Sequence, residues 1–137
     1  MSVFVDTSVW FASVFSKDKH NAHAKSLRQR DERLVTTDAV IVETWLILHR
    51  RFHYSAAEGF WGGLRRGGVR VEKVTAADFE AAWRVGVEFS DQSFSIVDRT
   101  SFAVMERLGL TRVASFDRDF AVYRYGGDRS RAFEILR

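Results

Sequence analysis

The chain begins with a short apolar run, Val3, Phe4 and Val5, whose β-branched and aromatic character predicts a strand over residues 2–5. Apolar positions return after Asp6, Thr7 and Ser8, predicting a helix from Thr7 or Ser8 to about Phe15, then a more polar helix over roughly 19–31. LVTT at 34–37 is strand-like, and Asp38 fits an N-cap for a strongly apolar helix, AVIVETWLILHRRF, over 39–52. Ser55 is the expected cap of the next helix, which should end near Gly67 and Gly68. VRVEKV at 69–74 alternates with period two, as a half-buried strand does. TAAD at 75–78 has the form of a capping box with Asp in place of Glu or Gln, opening a helix to about Phe89. A further helix spans about Ser95 to Leu108 and stops at Gly109, and TRVAS at 111–115 and FEIL at 133–136 are strands. Strands alternating with helices predict an α/β sandwich around a largely parallel sheet.

No linker or shift in composition divides the 137 residues, so residues 1–137 are expected to form one domain. A chain of that length buries roughly two thirds of its unfolded surface. No apolar run approaches the ~18–20 residues that cross a bilayer, and Asp6 interrupts the apolar N-terminus, which has no basic leader. The expected location is the cytoplasm. The absence of cysteine excludes disulfides, thiolate zinc sites and a cysteine nucleophile. A net charge of +3 is mildly basic, but the arginines cluster, in RQRDER at 28–33, HRRF at 49–52, RRGGVR at 65–70 and RYGGDRSR at 124–131. Clustered guanidiniums suit a phosphate backbone, and they equally suit solvated helix faces.

Four carboxylates resist a surface explanation. Asp6 directly follows a strand, where open α/β sheets bind ligands, although Asp is also a good N-cap. Glu43 has Ala39, Val40, Leu46 and Ile47 as helical neighbours, which should face the core; a buried pair with Arg50 is the competing explanation. Asp98 lies in a narrow polar lane with Ser95 and Ser101, flanked by Phe94, Phe102 and Met105, with a salt bridge to Arg99 or another exposed partner as its competing explanation. Asp117 follows the strand TRVAS as Asp6 follows the first strand; Asp119 competes for its role, and an Asx turn or a cap on a short helix would also account for it. Two carboxylates at strand ends and two on buried helix faces can converge in one crevice. At ~4 Å each pair repels by about 4 kcal/mol at an effective dielectric near 20, so four cannot stay ionised together without a cation. A hard, oxygen-preferring ion such as Mg²⁺ or Mn²⁺ fits that requirement.

These motifs resemble those of the PIN-domain ribonucleases of the VapC toxin type. VDTSVW at 5–10 resembles the family's opening strand and first aspartate, ETWLIL at 43–48 its helical glutamate block, SIVDRTSFAVM at 95–105 its third motif, and SFDRDF at 115–120 its closing T-x-D-x-x-F element. Ser115 stands where the family more often has Thr. The resemblance implies a three-layer α/β/α PIN-like domain with a central, mostly parallel sheet of four to five strands. It implies an acidic site of Asp6, Glu43, Asp98 and Asp117, with Asp6 and Asp98 as direct metal ligands and Glu43 binding metal or activating water. Thr7 and Ser95 would orient carboxylates, and Asp119 would support the site or complete it in place of Asp117. The implied reaction is Mg²⁺-dependent hydrolysis of RNA by in-line attack of water, with Mn²⁺ as an alternative ion. The implied partners are a small VapB-like antitoxin, the RNA substrate and a second copy of the chain in a homodimer, with no membrane. Two other readings are an RNA-processing nuclease without an antitoxin and a PIN-like module that binds without cleaving.

Other chemistry is weaker. His20 and His23, and His49 and His53, have spacings that can bind zinc, but there is no H-E-x-x-H and no third ligand. The glycine pairs at 62–63, 67–68 and 126–127 match no nucleotide-cradling motif, and VDTS lacks the second aspartate of haloacid-dehalogenase-like phosphatases. Trp10, Trp45, Trp61 and Trp83 are mostly at core spacing, with Trp61, beside Gly62 and Gly63, the best partner-facing aromatic.

Overall fold

A computed structural model describes residues 1–137. In chain order the elements are β1 (Ser2–Val5), α1 (Thr7–Val14), α2 (Asn21–Arg28), β2 (Arg33–Thr37), α3 (Asp38–Arg51), α4 (Tyr54–Arg65), β3 (Val69–Glu72), α5 (Ala76–Glu88), α6 (Ile96–Leu108), β4 (Arg112–Ala114), α7 (Asp119–Val122) and β5 (Glu134–Leu136). The sheet is ordered β3-β2-β1-β4-β5 and every pairing in it is parallel. With its helices it forms the expected three-layer α/β/α arrangement, at five strands. Helices pair as α1 with α2, α3 with α4 and α5 with α6, and α3 also touches α1 and α6. The chain builds outward from β1 through β2 to β3, then crosses to the other side of β1 for β4 and β5. The reversal lies between β1 and β4, and a parallel sheet opens a crevice beyond its strand ends at such a point.

Helix starts follow local chemistry, with two differences from expectation. The cap of α3 is Thr37, whose Oγ1 accepts the Val40 N–H at 3.1 Å, rather than Asp38. Asp38 lies in the first turn, and its Oδ1 accepts the N–H groups of Ala39 and Val74, each at 3.0 Å, tying α3 to the segment after β3. Nor is Ser55 the cap of α4: His53 Nδ1 accepts the Ala56 N–H at 3.1 Å. Thr75 and Asp78 form the expected capping box of α5. Gly109 ends α6 with a φ of +70°, a left-handed conformation that costs glycine little. The polar helix α2 is shorter than its composition suggests, because Asp18 accepts the N–H groups of His20 and Asn21 and holds a turn just before it.

The core contains Phe4, Trp10, Leu48, Phe102, Phe120 and Tyr123, all fully buried. Not every apolar position joins it. On α3 the innermost side chains are Val40, Thr44 and Leu48, whereas Leu46 is 51% exposed and Ala39 and Ile47 are half-buried. Trp83, at helical core spacing in the sequence, is 70% exposed. β3 is the sheet edge, with Val69 half-buried and Val71 exposed, so its alternation does not sort inside from outside.

Phe102 is the hub of an aromatic cluster, stacked on Tyr123 at 4.1 Å between ring centres, with Phe120 at 5.0 Å and Phe94 at 5.3 Å. It lies one turn beyond Asp98 on α6, so the same packing that fills the core fixes that carboxylate. Phe102→Ala should destabilise the fold by about 3–5 kcal/mol, read as a lower urea midpoint with an unchanged m-value.

Candidate functional site

Beyond the carboxyl ends of β1 and β4 lies a crevice of 410 Å³ lined by Asp6, Thr7, Ser8, Phe11, Glu43, Ile47, Arg51, Ser93, Ser95, Asp98, Asp117 and Asp119. The topology explains their convergence. β1 delivers Asp6 and the loop after β4 delivers Asp117 and Asp119, while α3 supplies Glu43 and α6 supplies Asp98 in its first turn.

Asp6 is the most firmly held. Its Oδ1 accepts the Thr7 N–H at 2.7 Å, and its Oδ2 accepts the hydroxyls of Ser8 and Ser115, each at 2.8 Å. Each of those hydroxyls in turn accepts a main-chain N–H of the β4 loop, Phe116 to Ser8 at 2.9 Å and Asp117 to Ser115 at 3.0 Å. The Asp6 N–H also donates to the Ala114 carbonyl at 3.1 Å. One carboxylate oxygen therefore locks two strand ends together. Asp6 caps α1 with its other oxygen, so the cap and the site are the same residue.

Sequence reasoning gave the orienting role to Thr7 and Ser95, and the structure divides it differently. Thr7 contributes its main-chain N–H, while its buried hydroxyl has no partner in the chain. Ser95 caps α6 by accepting the Asp98 N–H at 3.0 Å, which fixes the backbone of Asp98 rather than its carboxylate. The direct donors to Asp6, Ser8 and Ser115, were legible only as hydroxyls adjoining aspartates at strand ends.

Asp98, Asp117 and Asp119 each place one carboxylate oxygen within 4.8 Å of the others. Asp117 and Asp119 thus both stand beside Asp98, and Asp117 Oδ1 also accepts the Asp119 N–H at 3.0 Å. Glu43 is half-buried in the crevice wall, and neither it nor Arg50 enters any ion pair of the chain. Arg99 does not reach Asp98; its guanidinium donates to the Ala82 carbonyl and lies where a Cβ on Gly86 would stand. The histidines lie elsewhere. His20 stacks on Phe116 at 4.2 Å with His23 edge-on to the same ring, His49 stacks on Trp45, and His53 caps α4.

Burial first, and neighbouring charge second, raises the pKa values of Asp6 and Asp98. Burial pushes Asp6 up from 3.8 to about 6, against the pull of the Ser115 and Ser8 hydroxyls. Asp98 is pushed to about 8, first by burial, then by the Asp6 charge and a hydrogen bond with Asp119, with the charges of Asp117 and Asp119 adding to it. The chemistry of this set fits a divalent cation: the donors are all oxygen, their ionised forms repel, and Thr7 brings a buried, unpartnered hydroxyl to the wall.

Comparison with known proteins identifies the family and the fold. The PIN domain model matches residues 3–124. The 23S rRNA-specific endonuclease VapC20 of Mycobacterium tuberculosis is 38% identical over 120 residues, which cover 87% of this chain and 92% of that protein. The crystal structure of M. tuberculosis VapC20, a sarcin–ricin loop cleaving toxin, superposes with a TM-score of 0.82 over 88% of this chain and 93% of that one. VapBC2 from Rickettsia felis, solved on a DNA fragment from its promoter, aligns at a TM-score of 0.69 over 99% of this chain and 98% of that one. At 8% identity that last likeness is one of fold alone.

A carboxyl whose pKa rises from 3.8 to about 6 or about 8 on folding binds more protons folded than unfolded in that interval, so stability falls as pH rises through it. In EDTA, the melting temperature should drop between about pH 4 and pH 8, for a total on the order of a few kcal/mol. Mg²⁺ added at pH 8 should restore it, and Asp98→Asn should flatten the slope. Thermal melts across pH check this, and a melting temperature that climbs over that window would contradict it.

Proposed function

The chain belongs to the PIN domain family, and from that premise we propose that it is a divalent-metal-dependent endoribonuclease toxin that hydrolyses RNA phosphodiesters in the carboxylate crevice. The observation that carries this reading is the convergence of Asp6, Glu43, Asp98, Asp117 and Asp119 at one end of the sheet, two of them with raised pKa values. A module that only bound RNA would have no use for such a costly concentration of negative charge beside a negatively charged ligand.

Asp6 and Asp98 are the direct holders of Mg²⁺ or Mn²⁺, with Asp117 and Asp119 completing the oxygen set. The ion when bound supplies charge neutralisation at the scissile phosphate and a more acidic water. Glu43 lines the same crevice, and its proposed role is to accept the proton of the attacking water. Ser8 and Ser115 keep Asp6 aimed, because each hydroxyl is itself fixed by a main-chain N–H. Ser95 keeps the first turn of α6, and with it Asp98, in place.

The substrate we assign is ribosomal RNA. Support comes from the 38% identity, over most of both chains, to an endonuclease specific for 23S rRNA. The same reading includes a small antitoxin that covers the crevice, and a homodimer. Two exposed apolar areas favour protein partners: Val42, Leu46 and Trp61 along α3 and α4, and Phe79, Trp83 and Ile96 along α5 and α6.

Asp6→Asn keeps one oxygen to cap α1 and removes the charge, while its amide N–H groups can only donate to the Ser8 and Ser115 hydroxyls, which must turn to accept them; it should still fold and cleave 23S rRNA at least about a hundredfold more slowly. Mapping new RNA 5′ ends after incubating ribosomes with each protein, with and without EDTA, provides the measurement. Equal cleavage by both proteins, unaffected by EDTA, would rule the mechanism out. Ser115→Ala should lower the rate about 10–100-fold in the same assay, because one of the two side-chain donors to Asp6 Oδ2 is lost.

A further inference from the structure

The acidic crevice does not end at Arg51. Phe11 and Arg51 line it, and they adjoin a second depression of 410 Å³ lined by Val14, Phe15, Ser16, Lys17, Phe52, His53 and Ala56. Three half-buried rings join the two: Phe11 stacks on Phe52 at 6.0 Å and meets Phe15 at 5.9 Å, and Phe15 stands edge-on to Phe52 at 4.3 Å. The Arg51 guanidinium lies over the Phe11 ring, 5.5 Å from its centre. Arg51, Lys17 and His53 are all exposed, and none takes part in an ion pair.

We infer that this aromatic and basic depression is a nucleotide subsite, in which an unpaired base next to the scissile phosphate stacks against Phe15 while Arg51 and Lys17 hold the flanking phosphates. The inference rests on the ribonuclease reading and extends it. Proteins that grip unpaired RNA combine aromatic faces for the bases with cations for the backbone, and both are present here in continuity with the carboxylates. The need is physical as well. A crevice of five acidic groups repels the phosphates on either side of the one it cleaves, and exposed charges act over only about 8–10 Å, so compensating cations must stand at its edge. Among the arginine clusters of the sequence, HRRF at 49–52 reaches that edge, through Arg51. Phe15 adds a second sign. Phe11 and Phe52 pack against the hydrophobic core, whereas Phe15 lies outside it, half-buried on those two rings at the rim of the depression.

The test uses the full chain in EDTA and a fluorescently labelled RNA hairpin carrying the sarcin–ricin loop, with binding read by anisotropy. Phe15→Ala and Lys17→Glu should each weaken binding about fivefold or more, with melting temperatures near that of the wild type, and Phe15→Trp should bind as the wild type does. Lys17→Glu should also make binding less sensitive to salt. If both variants bind within about twofold of wild type, the subsite does not exist. If they keep RNA affinity but escape inhibition by the cognate antitoxin, the depression is a protein-docking groove and the inference fails. Either failure is separable from failure of the nuclease reading, which is judged by cleavage in metal and its loss in Asp6→Asn.

Discussion

The rest of this structure depends on holding several carboxylates together against their own repulsion, two of them buried and three half-buried at the end of the sheet. At ~4 Å and an effective dielectric near 20, each ionised pair opposes the arrangement by about 4 kcal/mol, a large part of the stability of a small domain. The fold meets that cost by rigidity rather than by pairing each acid with a base. Asp6 is fixed by a main-chain N–H and two hydroxyls, Asp98 by the cap of its helix and the aromatic cluster one turn away, and Asp117 by the turn that Ser115 and Asp119 close. Burial, with the neighbouring charges adding to it, leaves Asp6 and Asp98 with raised pKa values.

The parallel sheet is what makes such rigidity available. All five strands end on the same side, so residues just beyond β1 and β4 meet at the reversal of strand order without any long connection having to be ordered. The Ser8 and Ser115 hydroxyls, meeting on one oxygen of Asp6, weld those two ends. Helices α3 and α6 then bring Glu43 and Asp98 in from the flanks, and α3 is suited to this because it packs on both α1 and α6.

Much of this was legible in the sequence, and what was not follows a pattern. The elements themselves were readable because apolar periodicity is a local property, and Asp6, Glu43, Asp98 and Asp117 stood out because an acid in apolar company is locally anomalous. Facing was less legible. Leu46 and Trp83 have helical core spacing yet point outward, because spacing defines a stripe and only tertiary packing decides which stripe is covered. Cap identity slipped from Asp38 to Thr37 and from Ser55 to His53, since several neighbouring side chains can cap and the backbone path selects one. The Ser115–Asp6 hydrogen bond spans 109 residues, and no local pattern encodes such a contact.

The charge balance of the whole chain now has a physical interpretation. A net charge of +3 is modest, but it sums a strongly negative crevice with arginines and lysines spread around it. On the proposed reading, the bare crevice would repel a polyanion and a bound cation would offset that repulsion, so metal and RNA would reinforce each other. Arg51 stands where these opposing fields meet, its guanidinium laid on Phe11 instead of neutralising a neighbouring acid. A salt bridge between Arg51 and Glu43 would neutralise both; apart, they keep the separate charges that the proposed base and the proposed phosphate contact each require.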